Sequence, residues 1–456
     1  MKVSSFTYIY LLGAGGIGMS ALGRYFLMQG KIVCGYDKTS TTLTSALSSE
    51  GVKISFEDSI SSLPEFLVGS PSEDVLVIYT PAIPKESIIL NYIQEKGFRL
   101  MKRSEVLGLI SASHKTIAVA GTHGKTTTST LIAHMLESAG LSPVAFLGGI
   151  SVNYSSNYLP GKPDSVLVAE ADEYDRSFLK LFPDTGIITS VDADHLDIYG
   201  QGSELIKSFE DFASQVERKL ILKKGLGLSD NLYTKASTYS TSTDADVSLS
   251  NWYLDGDKYH FSVKTKSATF ENLQLGLAGF HNVENSLAAI SVALDMGLDE
   301  RQIRDSLASF QGVKRRFEYI IRSSDLMYID DYAHHPAELN ACIQSAQQMY
   351  PSKKITGVFQ PHLFSRTRDF MDEFAQSLSV LDEVYLMDIY PAREKPIEGI
   401  SSAALLEKIT CKNKQVLSAQ ELPEALKLNR PEVLLTMGAG DIDQVVEPIK
   451  KILSLQ

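Results

Sequence analysis

The sequence predicts an α/β protein of three domains: a Rossmann-like N-terminal domain, a central P-loop ATPase-like α/β domain and a C-terminal Rossmann-like α/β domain. Three observations carry this expectation. Strand, glycine loop and helix follow one another at Gly13-Ala-Gly-Gly-Ile-Gly18 and again at Gly121-Thr-His-Gly-Lys-Thr-Thr127. Short apolar runs alternate with helical patterns through the last third of the chain. The length of 456 residues exceeds one ordinary core, at about 150 residues per domain.

The first unit opens with the strand Tyr8-Ile-Tyr-Leu-Leu12, which runs into the glycines and then a helix through Met19, Leu22 and Phe26. A second strand, Lys31-Ile-Val-Cys-Gly-Tyr36, ends at Asp37. Strand, G-x-G-x-x-G, helix, strand and acid make a mononucleotide-binding unit, with phosphates at the helix N-terminus. Asp74-Val-Leu-Val-Ile-Tyr79 adds a buried strand, followed by the Pro81-Ala-Ile-Pro84 turn, and the expected domain is 1–113.

The second unit begins with Thr116-Ile-Ala-Val-Ala120 and the loop Gly121, Thr122, His123, Gly124, Lys125, Thr126, Thr127, ahead of a helix carrying Leu131, Ile132, Met135 and Leu136. Free backbone N–H groups and the helix dipole there face a ligand, Lys125 adds a mobile charge, and the Thr126 hydroxyl reaches Mg²⁺. The longer P-loop pattern wants glycine where this chain has Val119, so the short G-T-x-G-K-T form must turn tightly at Gly121. Ser165-Val-Leu-Val-Ala169, Thr185-Gly-Ile-Ile-Thr-Ser190 and Lys219-Leu-Ile-Leu222 are further parallel strands. Thr234 to Ser250, rich in Ser, Thr and Asp, reads as an exposed loop; Asp255-Gly256 between alternating residues predicts a hairpin. Helices from about Val283 to Leu294 and Glu300 to Phe310 close the expected domain 114–312.

The third domain, 313–456, alternates strands at Phe317 to Ile321, Leu326 to Ile329, Ile355 to Phe359, Glu383 to Met387 and Val433 to Thr436 with helices. No repeat and no low-complexity tract interrupts it.

Acids and imidazoles cluster at strand ends, where open α/β sheets bind ligands. Glu170-Ala-Asp-Glu173 follows a strand beside the phosphate loop, and Glu170 is the candidate Mg²⁺ ligand, since that ion prefers oxygen. Asp192-Ala-Asp-His195 ends the next strand, and His195 is a candidate for holding a metal or orienting a phosphate. Arg315-Arg316 comes at the entrance to the third domain, where an arginine can neutralise a transferring phosphoryl group. Asp330-Asp-Tyr-Ala-His-His-Pro336 offers carboxylates and imidazoles for ribose binding or proton transfer. Arginines in Gln360-Pro-His-Leu-Phe-Ser-Arg-Thr-Arg368 suit a small carboxylate.

Composition narrows the partners. Hydrophobic residues make up 44% and charged residues 21%, the balance of a globular protein, and the net charge of −12 argues against nucleic acid. Cys34, Cys342 and Cys411 are scattered and odd in number, which fits a reducing, cytoplasmic compartment. The run Thr7 to Leu12 is too short for a signal peptide, and no stretch approaches the roughly 18 apolar residues of a membrane span.

Taken in order from Gly13 to Gly440, these motifs, with Gly-Phe-His-Asn-Val-Glu-Asn and Arg-Arg-Phe-Glu, resemble the Mur ligase family. The resemblance implies ATP-dependent joining of L-alanine to UDP-N-acetylmuramate through an acyl phosphate, by a monomer or homodimer with ATP and Mg²⁺ as cofactors. It implies that Gly13, Gly15, Gly16 and Gly18, with Asp37, hold the UDP-sugar, and that the loop 121–127 holds ATP. Thr126, Glu170 and His195 would serve the metal, Asn282 and Asn285 the adenine, Arg316 the γ-phosphate and Asp331 the ribose. His334, His335 or a nearby acid would take the amine proton. Several members have arginine where this chain has Leu363, so the alanine carboxylate falls to Arg366 or Arg368. A ligase that recycles a preformed murein tripeptide remains open, and more distantly a nicotinamide dehydrogenase or a regulatory NTPase.

Overall fold

The computed structural model describes residues 3–162, 164–192, 202–242, 244–392 and 394–454. Among them the chain builds three sheets. The first is parallel, in the order β3-β2-β1-β4-β5, with β1 Tyr8–Leu12, β2 Ile32–Tyr36, β3 Lys53–Ser55, β4 Val75–Tyr79 and β5 Leu100–Lys102. Helices cover both faces, which is why its central strands are unbroken apolar runs. Alternation sends Ile9 and Leu11 into the core under the Ile17–Met28 helix, and Tyr10 and Leu12 into the opposite core with Val77 and Ile93.

The second sheet has ten strands in the order β15-β14-β13-β12-β11-β10-β6-β9-β7-β8. They are β6 Thr116–Ala120, β7 Val144–Ser151, β8 Ser156–Pro160, β9 Leu167–Glu170, β10 Thr185–Ile188, β11 Lys219–Lys223, β12 Ser237–Ser240, β13 Val247–Asp255, β14 Lys258–Thr265 and β15 Thr269–Leu275. The expected exposed loop from Thr234 to Ser250 is corrected here: it contains β12 and the start of β13, which continue the parallel ladder from β11. Tyr239, Val247 and Leu249 are buried beneath its hydroxyl-rich surface. Those few apolar anchors outweigh the turn-like composition. The hairpin at Asp255-Gly256 forms as expected, with Gly256 at φ +62°.

The third sheet has the order β16-β17-β21-β18-β19-β20, from β16 Glu318–Arg322, β17 Met327–Asp331, β18 Ile355–Phe359, β19 Glu383–Leu386, β20 Asn413–Val416 and β21 Val433–Met437. Only β16 runs antiparallel to its neighbour.

Compactness groups the chain into two units: 1–251 with 261–273 and 284–311, and 252–260 with 274–283 and 312–456. The first sheet and strands β6 to β12 of the second share the first unit, where the Ile17–Met28 helix packs on the β7–β8 hairpin. A polar knot pins that contact. Arg24 donates to Glu50 at 2.7 Å and to Asn157, whose amide donates to the Ile17 carbonyl at 2.6 Å and the Ser20 hydroxyl at 3.0 Å. Glu50 is half exposed, so its ion pair contributes little. The buried Asn157 oxygen matters more: Arg24→Ala leaves it without its donor. The expected loss is about 1–3 kcal/mol, read as a lower urea midpoint.

Candidate active site

The sheet order β10-β6-β9 assembles the candidate phosphate loop. β6 is buried throughout and ends at Ala120, so the chain emerges at the carboxyl edge as a turn and a helix, Lys125–Ser138. Gly121 (φ +140°) and Gly124 (φ +82°) occupy backbone conformations that L side chains rarely adopt. A Cβ on Gly124 would also lie 2.6 Å from the side-chain amide oxygen of Asn285, which places that side chain directly against the loop. No acid occupies the first helical turn, leaving its N–H groups and dipole open to an anion.

Flanking strands brace both sides. From β10, the Ser190 hydroxyl accepts from the His123 N–H at 2.7 Å and contacts the Thr122 hydroxyl at 2.9 Å, while Thr189 donates to the His123 carbonyl at 2.5 Å. From β9, Glu170 stands in register with Val119. The next strand, β7, brings Gly148 against the Glu170 carboxylate, so close that a Cβ there would overlap it. Lys125 donates to the carbonyls of Gly121 at 2.6 Å and Thr122 at 3.2 Å, and pairs with Glu173 at 2.9 Å.

A cleft of about 380 Å³ lies in the same unit, lined by the first glycine loop, Asp37, Arg103, Gly148 and Glu170 among others. That volume is in the range of small-molecule sites. Gly13 turns at φ +88°, and the Gly15 N–H donates to Asp37 at 2.8 Å. The other Asp37 oxygen accepts from Thr39 at 3.1 Å, so this carboxylate braces the loop as well as lining the cleft. Gly18 leaves room for Arg103: a Cβ there would meet its Nη1 at 2.7 Å. Arg103 in turn lies 3.3 Å from Asp172.

In the second unit, β17, β21 and β18 end side by side. Asp331, at the end of β17, accepts from the Phe317 N–H at 2.7 Å and the Ala333 N–H at 2.8 Å. Burial, opposed by Arg316, pushes its carboxyl up to about 6. The two linker arginines part company. Arg315 is pinned to Asp330 at 3.1 Å and the Gly438 carbonyl at 2.6 Å, whereas Arg316 lies 3.7 Å from Glu338; both guanidiniums face the Tyr332 ring. Gln360 bridges Asp441 at 2.7 Å and the Ile442 N–H at 2.9 Å, which explains the glycines in Gly438-Ala-Gly-Asp441.

His334 Nδ1 contacts the Tyr332 carbonyl at 2.9 Å and Glu338 at 3.1 Å. His335 caps the Pro336–Met349 helix, its Nδ1 accepting from the Ala337 N–H at 3.3 Å. Arg366 is buried in the short helix Phe364–Asp369; Arg368 is half exposed and pairs with Asp369 at 2.7 Å. Leu363 precedes them at φ +69°, a backbone rarely taken by such a side chain and found where surroundings over-determine it. Asn282 donates to the Ala278 carbonyl at 2.6 Å. His195 falls in 193–201, outside the described residues.

Burial holds two imidazoles in the second unit neutral. Desolvation, reinforced by Arg316 and opposed by Glu338, brings His281 down to about 4; desolvation with His334 and Arg366 does the same for His362. A depressed folded value means that the unfolded chain binds more protons between about pH 6.5 and 4, so these two histidines subtract stability as pH drops through that window, while the raised carboxyls of Asp331 and Glu173 act in the opposite direction. Going from pH 7 to 5 should cost about 2 kcal/mol per histidine. In chemical unfolding at the two pH values, His281→Gln should lose about 2 kcal/mol less than the wild type on going from pH 7 to 5, which isolates this histidine from the opposing carboxyls.

Comparison with known proteins places these parts. Residues 8–115 match the model described as Mur ligase family, catalytic domain; 119–293 match the Mur ligase middle domain; and 315–440 match the Mur ligase, glutamate ligase domain. The chain belongs to the Mur ligase family. Mur ligases are ATP-dependent enzymes that form amide bonds, and the three α/β sheets are the family's three-domain architecture. The chain is 48% identical over 98% of its length, and 97% of the relative's, to the UDP-N-acetylmuramate–L-alanine ligase of Christiangramia forsetii. It is equally similar to that of Flavobacterium psychrophilum, 48% over 99% of each chain. The crystal structure of UDP-N-acetylmuramate-alanine ligase from Thermotoga maritima superposes with a TM-score of 0.85 at 27% identity, covering 98% of this chain and all of that one.

Arg103, Gly148 and Glu173 are the residues that the motif reading of this Mur ligase passed over. Arg103 had a signal, since it directly follows a short parallel strand and so stands at the carboxyl edge. Gly148 had none: one glycine inside an apolar run says nothing of which strand lies beside it. No helix among the described residues is long and apolar enough to cross a membrane.

Proposed function

We propose that this chain joins L-alanine to the lactyl carboxylate of UDP-N-acetylmuramate with conversion of ATP to ADP and phosphate, the first peptide-forming step of peptidoglycan precursor synthesis. The observation that carries this reading is 48% identity, over nearly the whole chain, to ligases named for these two substrates. The muramate carboxylate attacks the γ-phosphorus and ADP leaves; the amine of alanine then attacks the acyl carbon, and phosphate leaves. Both steps concentrate negative charge, so fixed cations in a water-poor cleft favour the transition states.

The geometry supports the roles of the two glycine loops, and motif position supplies the others. The loop 121–127, with Lys125, takes the triphosphate, and Asn285 lies against it. Gly13, Gly15, Gly16 and Gly18 take the UDP-sugar in the cleft, with Arg103 as a cation for its diphosphate. Arg316 is assigned the γ-phosphate, Asp331 the ribose and Asn282 the adenine. Arg366 and Arg368 are assigned the alanine carboxylate. His334 is the better acceptor for the amine proton: its Nδ1 faces the Tyr332 carbonyl and so carries the hydrogen, which leaves Nε2 to accept, whereas His335 Nδ1 accepts from the Ala337 N–H and leaves the ring proton on Nε2.

Thr126 and Glu170 fit Mg²⁺: both offer hard oxygen atoms beside the phosphate loop, and Gly148 leaves space at the carboxylate. His195 is kept as a further ligand by motif position. Among the described residues no cluster of three or more acids, imidazoles or thiols could cage a metal, which suits an ion that completes its shell with phosphate oxygens and water. When bound it would neutralise phosphate charge. We place the domain limits at 1–113, 114–312 and 313–456. The activity is assigned to the cytoplasm as a monomer or homodimer, in keeping with three buried free thiols.

The test is phosphate release from ATP with UDP-N-acetylmuramate and Mg²⁺, comparing L-alanine, glycine, L-serine and the murein tripeptide as amine donors. Release dependent on L-alanine is expected. Turnover with the tripeptide alone would make the chain a recycling ligase and overturn the assignment of Arg366 and Arg368.

A further inference from the structure

Glu173 lies three residues beyond the end of β9, on a segment that the Ala171 N–H ties to the Val119 carbonyl at 2.9 Å. Its side chain is 1% exposed and faces the phosphate loop, 2.9 Å from the Lys125 ammonium, itself only 13% exposed. An ammonium has three N–H donors, and here they meet three acceptors: the carbonyls of Gly121 and Thr122 and the Glu173 carboxylate. Any phosphate oxygen that takes the lysine must displace one of them.

We propose that Glu173 is a positioning residue that parks the Lys125 ammonium against its own loop and competes with the phosphates of ATP for it. A carboxylate buried beside a triphosphate site opposes the incoming charge, since little solvent screens the two. Fold stability gives weak reason for such a pair, because burying both ions offsets most of their attraction. Burial, opposed by Lys125, pushes the Glu173 carboxyl up to about 7, so its charge leans on the lysine that ATP would recruit. The arrangement holds the lysine in register with the loop and makes its release conditional on phosphate.

This inference rests on the reading of Lys125 as the phosphate ligand, and the experiment separates the two. The dissociation constant of ADP is measured by calorimetry on the full chain, as wild type, Glu173→Gln, Lys125→Met and the double variant. Glu173→Gln keeps shape and an acceptor while removing the charge, and should bind ADP about tenfold more tightly. The gain should vanish on the Lys125→Met background, an outcome that a merely structural role would not produce. Unchanged or weaker binding by Glu173→Gln, or a full gain without Lys125, overturns the proposal. Should the amide variant fail to fold, Glu173→Ser must show the same tightening. If Lys125→Met leaves ADP affinity intact, the phosphate reading of Lys125 fails first.

Discussion

Lys125→Ala should lower ligase turnover by about a thousandfold or more while leaving UDP-sugar binding nearly intact. Phosphoryl transfer depends almost wholly on positioning and on stabilising charge, and the phosphate-loop lysine supplies a mobile cation for both. The cleft assigned to the UDP-sugar is built on the Gly13–Gly18 loop, whereas Lys125 opens the helix after β6. Truncation also strips buried Glu173 of its counter-charge, so some loss of thermal stability accompanies the loss of rate. Calorimetry with UDP-N-acetylmuramate, run well below the unfolding temperature, checks the claim. Equal loss of sugar binding and turnover would contradict the division of labour between the two glycine loops.

Gly148→Ala should cost about a hundredfold in kcat, approaching the effect of Glu170→Ala, although the substituted residue carries no chemistry. The backbone of Gly148 lies outside the positive-φ region, so alanine strains nothing locally. Its Cβ would instead overlap both oxygens of the Glu170 carboxylate and force them aside. A flexible carboxylate yields cheaply, so the urea midpoint should barely change. The Mg²⁺ concentration needed for half-maximal rate should rise in both variants. A Gly148→Ala enzyme with wild-type turnover and Mg²⁺ dependence would sink the assignment of Glu170 to the metal.

These two predictions differ in where they were legible. Lys125 announces itself in a seven-residue window, because a phosphate loop is local: strand, tight turn, helix N-terminus and lysine are chain neighbours. The same holds for the first glycine loop and for most strands; β1, β6 and β18 have the limits that their apolar runs predict. Composition misled where a strand is anchored by few residues, as in the hydroxyl-rich β12 and β13, whose buried Tyr239, Val247 and Leu249 are far outnumbered.

By itself, then, the sequence determined the α/β class and the order of its strand-edge motifs, since each is written in contiguous periodicity and turn residues. Tertiary structure decided which groups meet. The sheet order β10-β6-β9-β7 sets Ser190, Glu170 and Gly148 around one loop, from residues up to about 70 positions apart, and turns Glu173 onto Lys125. It also separated Arg315, pinned to Asp330 and Gly438, from its neighbour Arg316. Strand pairing is a long-range choice made by burial and register, and no local window records who stands beside whom.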